Sequence, residues 1–248
     1  MKEISLALSG GAARGAYHLG VLQFIDENNI KVKAISATSI GSIIGASYAA
    51  GVTPKDQLSI YKSKEFRKII SFNFFNKSIF KIDIKADILK ELMPVETIEE
   101  LNIPLYVTAV DINSGEHIIF EQGDVNTICL ASSALVPVFA PVEYNNQKLI
   151  DGGTLNHMPI APLLAYSYPI VGVNLHPICP VKTSSNIFNT LKRAVKLNAF
   201  SHSLSGKEFC DIYIATQEIE KFSLFSFKHL DTLFDLGYRD AQKYLILE

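Results

Sequence analysis

The stretch Val32-Lys33-Ala34-Ile35-Ser36-Ala37-Thr38-Ser39-Ile40-Gly41-Ser42-Ile43-Ile44-Gly45-Ala46 decides the fold. Its first half, through Val32, Ala34 and Ile35, is apolar and leans to β structure. Its second half is a run of small and branched residues, Ile43, Ile44, Gly45, Ala46, Ala49 and Ala50, that suits a closely packed helix. A serine at the corner between them, with small neighbours, reads as a nucleophile elbow. Such a corner lifts Ser39 Oγ over the end of the sheet. It also aims the first N–H groups of the following helix at the same place. Gly41 fits the G-x-S-x-G pattern, whereas Ala37 stands where the first glycine belongs and is one methyl group too large. On these residues alone a second reading stands beside the first, a serine that only caps a helix.

Working outward, Ile4 to Ser9 is an apolar first strand that runs into Gly10-Gly11-Ala12-Ala13-Arg14-Gly15. A helix follows from about Ala16 to Asn28, and Gly51 ends the elbow helix as a left-handed cap. Thr53-Pro54 opens another helix. Strand, helix, strand, helix with short joins predicts a mostly parallel sheet covered on both faces, an α/β/α sandwich. Further strands are expected at Pro104 to Val110, Glu116 to Phe120, Lys148 to Ile150, Ile170 to Asn174 and Ile212 to Ala215. Helices are expected at Asp83 to Leu92, at Val125 to Ser133 and after Pro159. Two more are expected, from Asn186 to about His202 with Leu191, Ala194, Val195 and Leu197 inside, and from Asp231 to Leu247. With no repeat or linker, residues 1–248 read as one domain, with a motif-bearing core of about 3–175 and a C-terminal helical part of about 186–248.

Hydrophobic residues make up 48 % of the 248, which allows a large core. A formal net charge of −2 gives no footprint for nucleic acid. No apolar run approaches a membrane span, and the N-terminus is too short in its apolar part for a signal peptide. Cys129, Cys179 and Cys210 are odd in number and widely spaced, which suggests reduced thiols and a cytoplasmic protein. From Lys64 to Lys81 the character changes, with five phenylalanines and five cations against one acid. Phe66, Ile69, Ile70 and Phe74 share a helical face. Phe66, Arg67, Lys68, Phe72, Phe74 and Phe75 are candidates for peripheral membrane contact or for a lid; an ordinary core helix with a basic outer side is the alternative reading. Phe222, Phe225 and Phe227 form a second aromatic patch.

The glycine turn fails as a dinucleotide site, because Ala12 stands at its third position and no acid ends the second strand. It fails as a P-loop, because Ala16 and Tyr17 follow the last glycine. It suits an oxyanion hole, where glycine lets backbone N–H groups approach a developing alkoxide and Arg14 adds charge; a plain structural turn is the alternative. The serine needs a base. Of the six histidines, His157 comes closest in position, just past Asp151. Asp151 is better placed, at a strand end before Gly152-Gly153, although the same three residues suit a tight turn.

Four motifs in order now carry a resemblance: Gly10-Gly11-Ala12-Ala13-Arg14-Gly15, Ala37-Thr38-Ser39-Ile40-Gly41, Ala131-Ser132-Ser133-Ala134-Leu135-Val136-Pro137 and Asp151-Gly152-Gly153. Together they resemble the patatin-like phospholipases, as do Asp111, Ser114-Gly115-Glu116 and Gly237-Tyr238. The resemblance implies a three-layer α/β/α sandwich, acyl-ester hydrolysis on phospholipids or related lipids, and no metal or cofactor. It implies Ser39 as nucleophile and Asp151 as base. It places the oxyanion hole around Gly10, Gly11, Ala12, Arg14, Gly15 and Ile40, with Ala37 and Gly41 supporting the elbow and Gly152 and Gly153 supporting Asp151. Acyl transfer to an acceptor other than water, and a lipid-binding scaffold without catalysis, are the alternatives. The sequence does not set the head group or the oligomeric state.

Overall fold

The structure is a computed structural model that describes residues 2–72, 80–82, 87–180, 186–200 and 206–245. In chain order its main elements are β1 (Glu3–Leu8), α1 (Ala16–Glu27), β2 (Lys31–Thr38), α2 (Ile40–Ala49) and α3 (Pro54–Lys62). Then come α4 (Lys64–Ile69), β3 (Ile70–Phe72), β4 (Phe80–Ile82), α5 (Asp87–Leu92), β5 (Leu105–Asp111), β6 (His117–Phe120) and α6 (Val125–Ser132). The rest comprises β7 (Val142–Tyr144), β8 (Gln147–Asp151), β9 (Ile170–Val173), α7 (Ile187–Phe200), β10 (Ile212–Ile214) and a C-terminal helix, α8 (Leu230–Tyr244).

Strands β10, β9, β1, β2 and β5 pair in parallel in that spatial order. Alternation along β1 and β2 divides their side chains between two layers. Ile4, Leu6, Leu8, Val32, Ile35 and Ala37 join the large core under the helices. Ala7 and Ala34 face the other way, onto Met158, Ile160 and Leu163. The second face is covered there by a 3₁₀ turn at Ala161–Ala165, where the sequence leads one to expect a helix after Pro159. On the large face α1 and α8 lie in close contact. A Cβ at Gly20 would stand 1.9 Å from Phe234 O, and one at Gly237 would stand 2.0 Å from Tyr17 O. The Tyr17 hydroxyl donates to Asp240 Oδ2 at 2.8 Å and the Tyr238 hydroxyl to Glu27 Oε2 at 2.6 Å, so each end of the contact is tied.

The far edge of the sheet makes the site. Residues 107 and 108 of β5 pair with β2 and with β6, so those two strands lie on opposite edges of β5. Ala109 pairs with Ile118 of β6 and with Asp151 of β8. Therefore β2 and β8 share one edge of β5, β2 along its first half and β8, antiparallel, along its second. They meet at Thr108 and Ala109, where β2 delivers Thr38 and β8 delivers Asp151.

Two expectations are corrected here. The helical face from Phe66 to Phe74 does not persist: α4 stops at Ile69 and Ile70–Phe72 form a hairpin strand with Phe80–Ile82. Branched Ile69 and Ile70 followed by phenylalanine favour that change to strand. Phe74 and Phe75 lie outside the described residues. In α7, Leu191, Val195 and Leu197, expected inside, are 60 %, 60 % and 38 % exposed. Amphipathic spacing marks a stripe but not what covers it.

Candidate active site

Ser39 has φ 54° and ψ −131°, a conformation that non-glycine residues rarely hold and that costs about 1–3 kcal/mol. Its side chain makes no cap bond to α2, so the plain helix-cap reading does not describe it. Three contacts hold the strained corner. The Ser39 N–H donates to Ser132 Oγ at 2.8 Å. The Ser42 hydroxyl donates to Ser39 O at 2.6 Å. Gly41 lets α2 come down on the end of β1, since a Cβ there would stand 2.6 Å from Leu8 O and 2.7 Å from Ser9 O. Ala37, the departure from the elbow pattern, is fully buried in the main core, where its methyl group finds room.

Asp151 is 6 % exposed and lines the same cavity as Ser39, whose side chain bears on its charge. Burial pushes its carboxyl up from an ordinary 3.8 to about 6, against hydrogen bonds from the Gly153 N–H, at 2.7 Å, and from Ser39. Gly152 is needed for the approach, because a Cβ there would stand 2.4 Å from Thr108 O. The Thr38 and Thr108 hydroxyls, 2.7 Å apart, and the Asn156 carbonyl, which accepts from Thr38 at 3.1 Å, tie β2 to β5 and to the chain beyond Asp151. His157 lies beside the pair. Its ring comes 3.1 Å from the Cβ position of Gly10, and of Gly153. Burial pushes His157 down to about 3, so it is neutral.

Of the six expected oxyanion-hole residues, Gly11, Ala12 and Ile40 stand at the first positions of helical turns, where N–H groups lack an intrahelical acceptor. All three line the same cavity as Ser39 and Asp151. Gly10 and Gly15 line it as well. Gly10 N–H donates to His157 O at 3.3 Å. Gly15 provides close packing, since a Cβ there would stand 2.6 Å from Ile40 Cγ1. Arg14 is buried, and its guanidinium donates to Phe222 O at 2.9 and 3.0 Å and to Leu175 O at 3.1 Å. It braces the segments around the site and does not line the cavity.

The cavity has a volume of about 410 Å³. Ser39 and Asp151 stand in its wall, and most of the remaining wall is apolar, with Leu130, Leu135, Leu224, Phe225 and Phe227. Phe66 also faces it, 8 % exposed and edge-on to Tyr61 at 4.6 Å, which removes it from the outward face expected of a membrane contact. Ser132 is the residue that sequence reasoning missed; the motif holding it was visible, its bond to the nucleophile's amide was not.

The model of the patatin-like phospholipases matches residues 6–164, which hold all four motifs. The chain belongs to that family. An uncharacterised NTE family protein of Mycobacterium tuberculosis is 31 % identical over 165 residues, covering 65 % of this chain and 45 % of its own length. Lysophospholipase NTE1 of Saccharomyces cerevisiae is 31 % identical over 183 residues, covering 66 % of this chain and 10 % of its own length. The chain thus spans less than half of these relatives. Among solved structures, VipD of Legionella pneumophila superposes with a TM-score of 0.55 at 14 % identity, over 98 % of this chain and 66 % of that one. The type III effector ExoU gives 0.52 at 13 % identity, over 99 % and 53 %. At these identities the two structures speak to the α/β sandwich fold alone. Among the described residues no helix is long and apolar enough to cross a membrane.

Proposed function

We propose that this patatin-like protein is a serine acyl hydrolase for phospholipids or lysophospholipids, working through a Ser39–Asp151 dyad. One observation carries the reading: a serine of strained backbone and a buried carboxylate of raised pKa share the wall of one apolar cavity. Family membership and the lysophospholipase relatives support the substrate class.

In the proposed reaction Asp151 accepts the hydroxyl proton as Ser39 Oγ attacks the ester carbonyl carbon. The N–H groups of Gly11, Ala12 and Ile40 hold the oxyanion; loss of one such donor costs about 3–4 kcal/mol of barrier. Collapse expels the alcohol, which takes the proton from Asp151, and leaves an acyl-serine. Asp151 then takes a proton from water, hydroxide attacks the acyl carbon, and collapse frees the fatty acid as the proton returns to Ser39. A carboxyl of pKa about 6 is ionised at neutral pH, yet basic enough to share a proton in the transition state. Cys129, Cys179 and Cys210 are free thiols, which fits the cytoplasmic setting proposed with this activity.

The test is release of a chromogenic acyl ester. Ser39→Ala and Asp151→Asn each abolish it with the fold intact; full activity in either variant refutes the dyad. Products formed with added alcohol separate hydrolysis from acyl transfer.

A further inference from the structure

Helix α7 turns its apolar stripe to water. Ile187 and Phe188 are each 77 % exposed, and Leu191 and Val195 each 60 %. Their spacing of one, four and eight residues from Ile187 puts them on one side of a 14-residue helix. A face with a phenylalanine ring and three branched aliphatic chains in water carries a standing cost unless something covers it. Charge indicates what does. The helix contains Lys192, Arg193 and Lys196 and no acid. The whole stretch from Gly152 to Lys207 holds five of the chain's 23 cations, Lys182 and Lys207 being the others, and none of its 25 acids. The remainder of the chain therefore carries 18 cations against 25 acids, a net −7, while this stretch carries +5. An amphipathic helix with a cationic polar side and an aromatic apolar side suits the interface of an anionic bilayer.

The helix is also fastened beside the catalytic cavity. Arg193 is its least exposed described residue, and its guanidinium donates to Cys179 O at 2.8 Å. Cys179 follows His176, which lines the cavity, by three residues, a span of at most about 11 Å when extended. A bilayer held by α7 therefore lies near the cavity that would receive an acyl chain.

We propose that α7 docks the protein on anionic lipid bilayers, with Ile187, Phe188, Leu191 and Val195 inserted and Lys192 and Lys196, at the flanking helix positions, meeting the head groups. The choice of a bilayer rests on the lipid-hydrolase reading above; the binding itself does not require catalysis. The expected contact through Phe66, Arg67 and Lys68 is the competing surface.

The test is co-sedimentation of the full chain, carrying Ser39→Ala so that vesicles stay intact, with phosphatidylcholine vesicles with or without phosphatidylglycerol. Binding is expected to the mixed vesicles and to weaken with salt. Lys192→Glu with Lys196→Glu should weaken it by at least about tenfold, each interfacial cation being worth roughly fivefold. Leu191→Ser with Val195→Ser should weaken it too, whereas Arg67→Glu with Lys68→Glu should leave it unchanged. The α7 variants, made on an unaltered Ser39, should keep full turnover of a soluble short-chain ester, which separates failure of docking from failure of the hydrolase reading. Equal binding by the α7 variants, loss of binding only in the Arg67 and Lys68 variant, or self-association through α7 without vesicle binding overturns the proposal.

Discussion

Replacing Asp151 with asparagine should stabilise the protein while removing its activity. The carboxyl is held at about 6 in the fold against an ordinary 3.8, chiefly by burial. Its charged form is therefore disfavoured when folded, and the folded state holds the proton more tightly than the unfolded chain. The sign follows: stability falls as pH rises from about 4 to about 6, and is constant above. Well above pH 6 the cost is about 3 kcal/mol; near pH 5 it is about 1.5 kcal/mol, because much of the folded population is still protonated. Asparagine keeps the shape. Its oxygen can accept from the Gly153 N–H and its amide can donate to Ser39 Oγ. It carries no charge to bury. At 2–4 °C per kcal/mol for a chain of this size, Asp151→Asn should melt about 6–12 °C above the parent near pH 8, and about half as far above it near pH 5. Thermal melts of both proteins across that range read the gap. A variant that melts below the parent, or a gap that does not widen with pH, refutes the reasoning about the buried carboxylate.

Three further outcomes follow from particular contacts. Ser132→Ala leaves the strained Ser39 amide without its acceptor, so kcat for a soluble ester should fall at least about tenfold with KM little changed, and Ser132→Thr should restore most of it. Gly20→Ala sets a methyl group 1.9 Å from Phe234 O, and chemical denaturation should show a loss of about 3 kcal/mol or more as α1 and α8 separate. Ala37→Gly restores the elbow glycine, yet Ala37 is already accommodated in the core; the change should cost about 0.5–1 kcal/mol of stability and raise kcat by less than about twofold.

Both halves of the candidate dyad were legible in the sequence because each sits at a punctuated strand end, Ser39 before a small-residue helix and Asp151 before two glycines. Their meeting was not legible. It depends on β2 and β8 dividing one edge of β5, which brings together two strands more than 100 residues apart that do not pair with each other, with no local signal in either. Arg14 was visible as a charge in the glycine turn, but the Phe222 and Leu175 carbonyls that take its donors come from more than 150 residues away. Phe66 and α7 mark the limit of periodicity. Spacing marks Phe66 and the α7 residues alike as apolar stripe positions, yet Phe66 is buried against Tyr61 while Ile187, Phe188, Leu191 and Val195 are left to water, and only the neighbouring elements decide between them.

The central claim is that Asp151, with no imidazole between, activates Ser39. Its most direct test is the rate at which a fluorophosphonate modifies the protein, followed by mass mapping of the adduct across pH. The account predicts a single adduct on Ser39, formed at a rate that rises about tenfold per pH unit below 6 and levels above it, and that collapses in Asp151→Asn. Modification at another residue, or an undiminished rate on Ser39 in the asparagine variant, would contradict it.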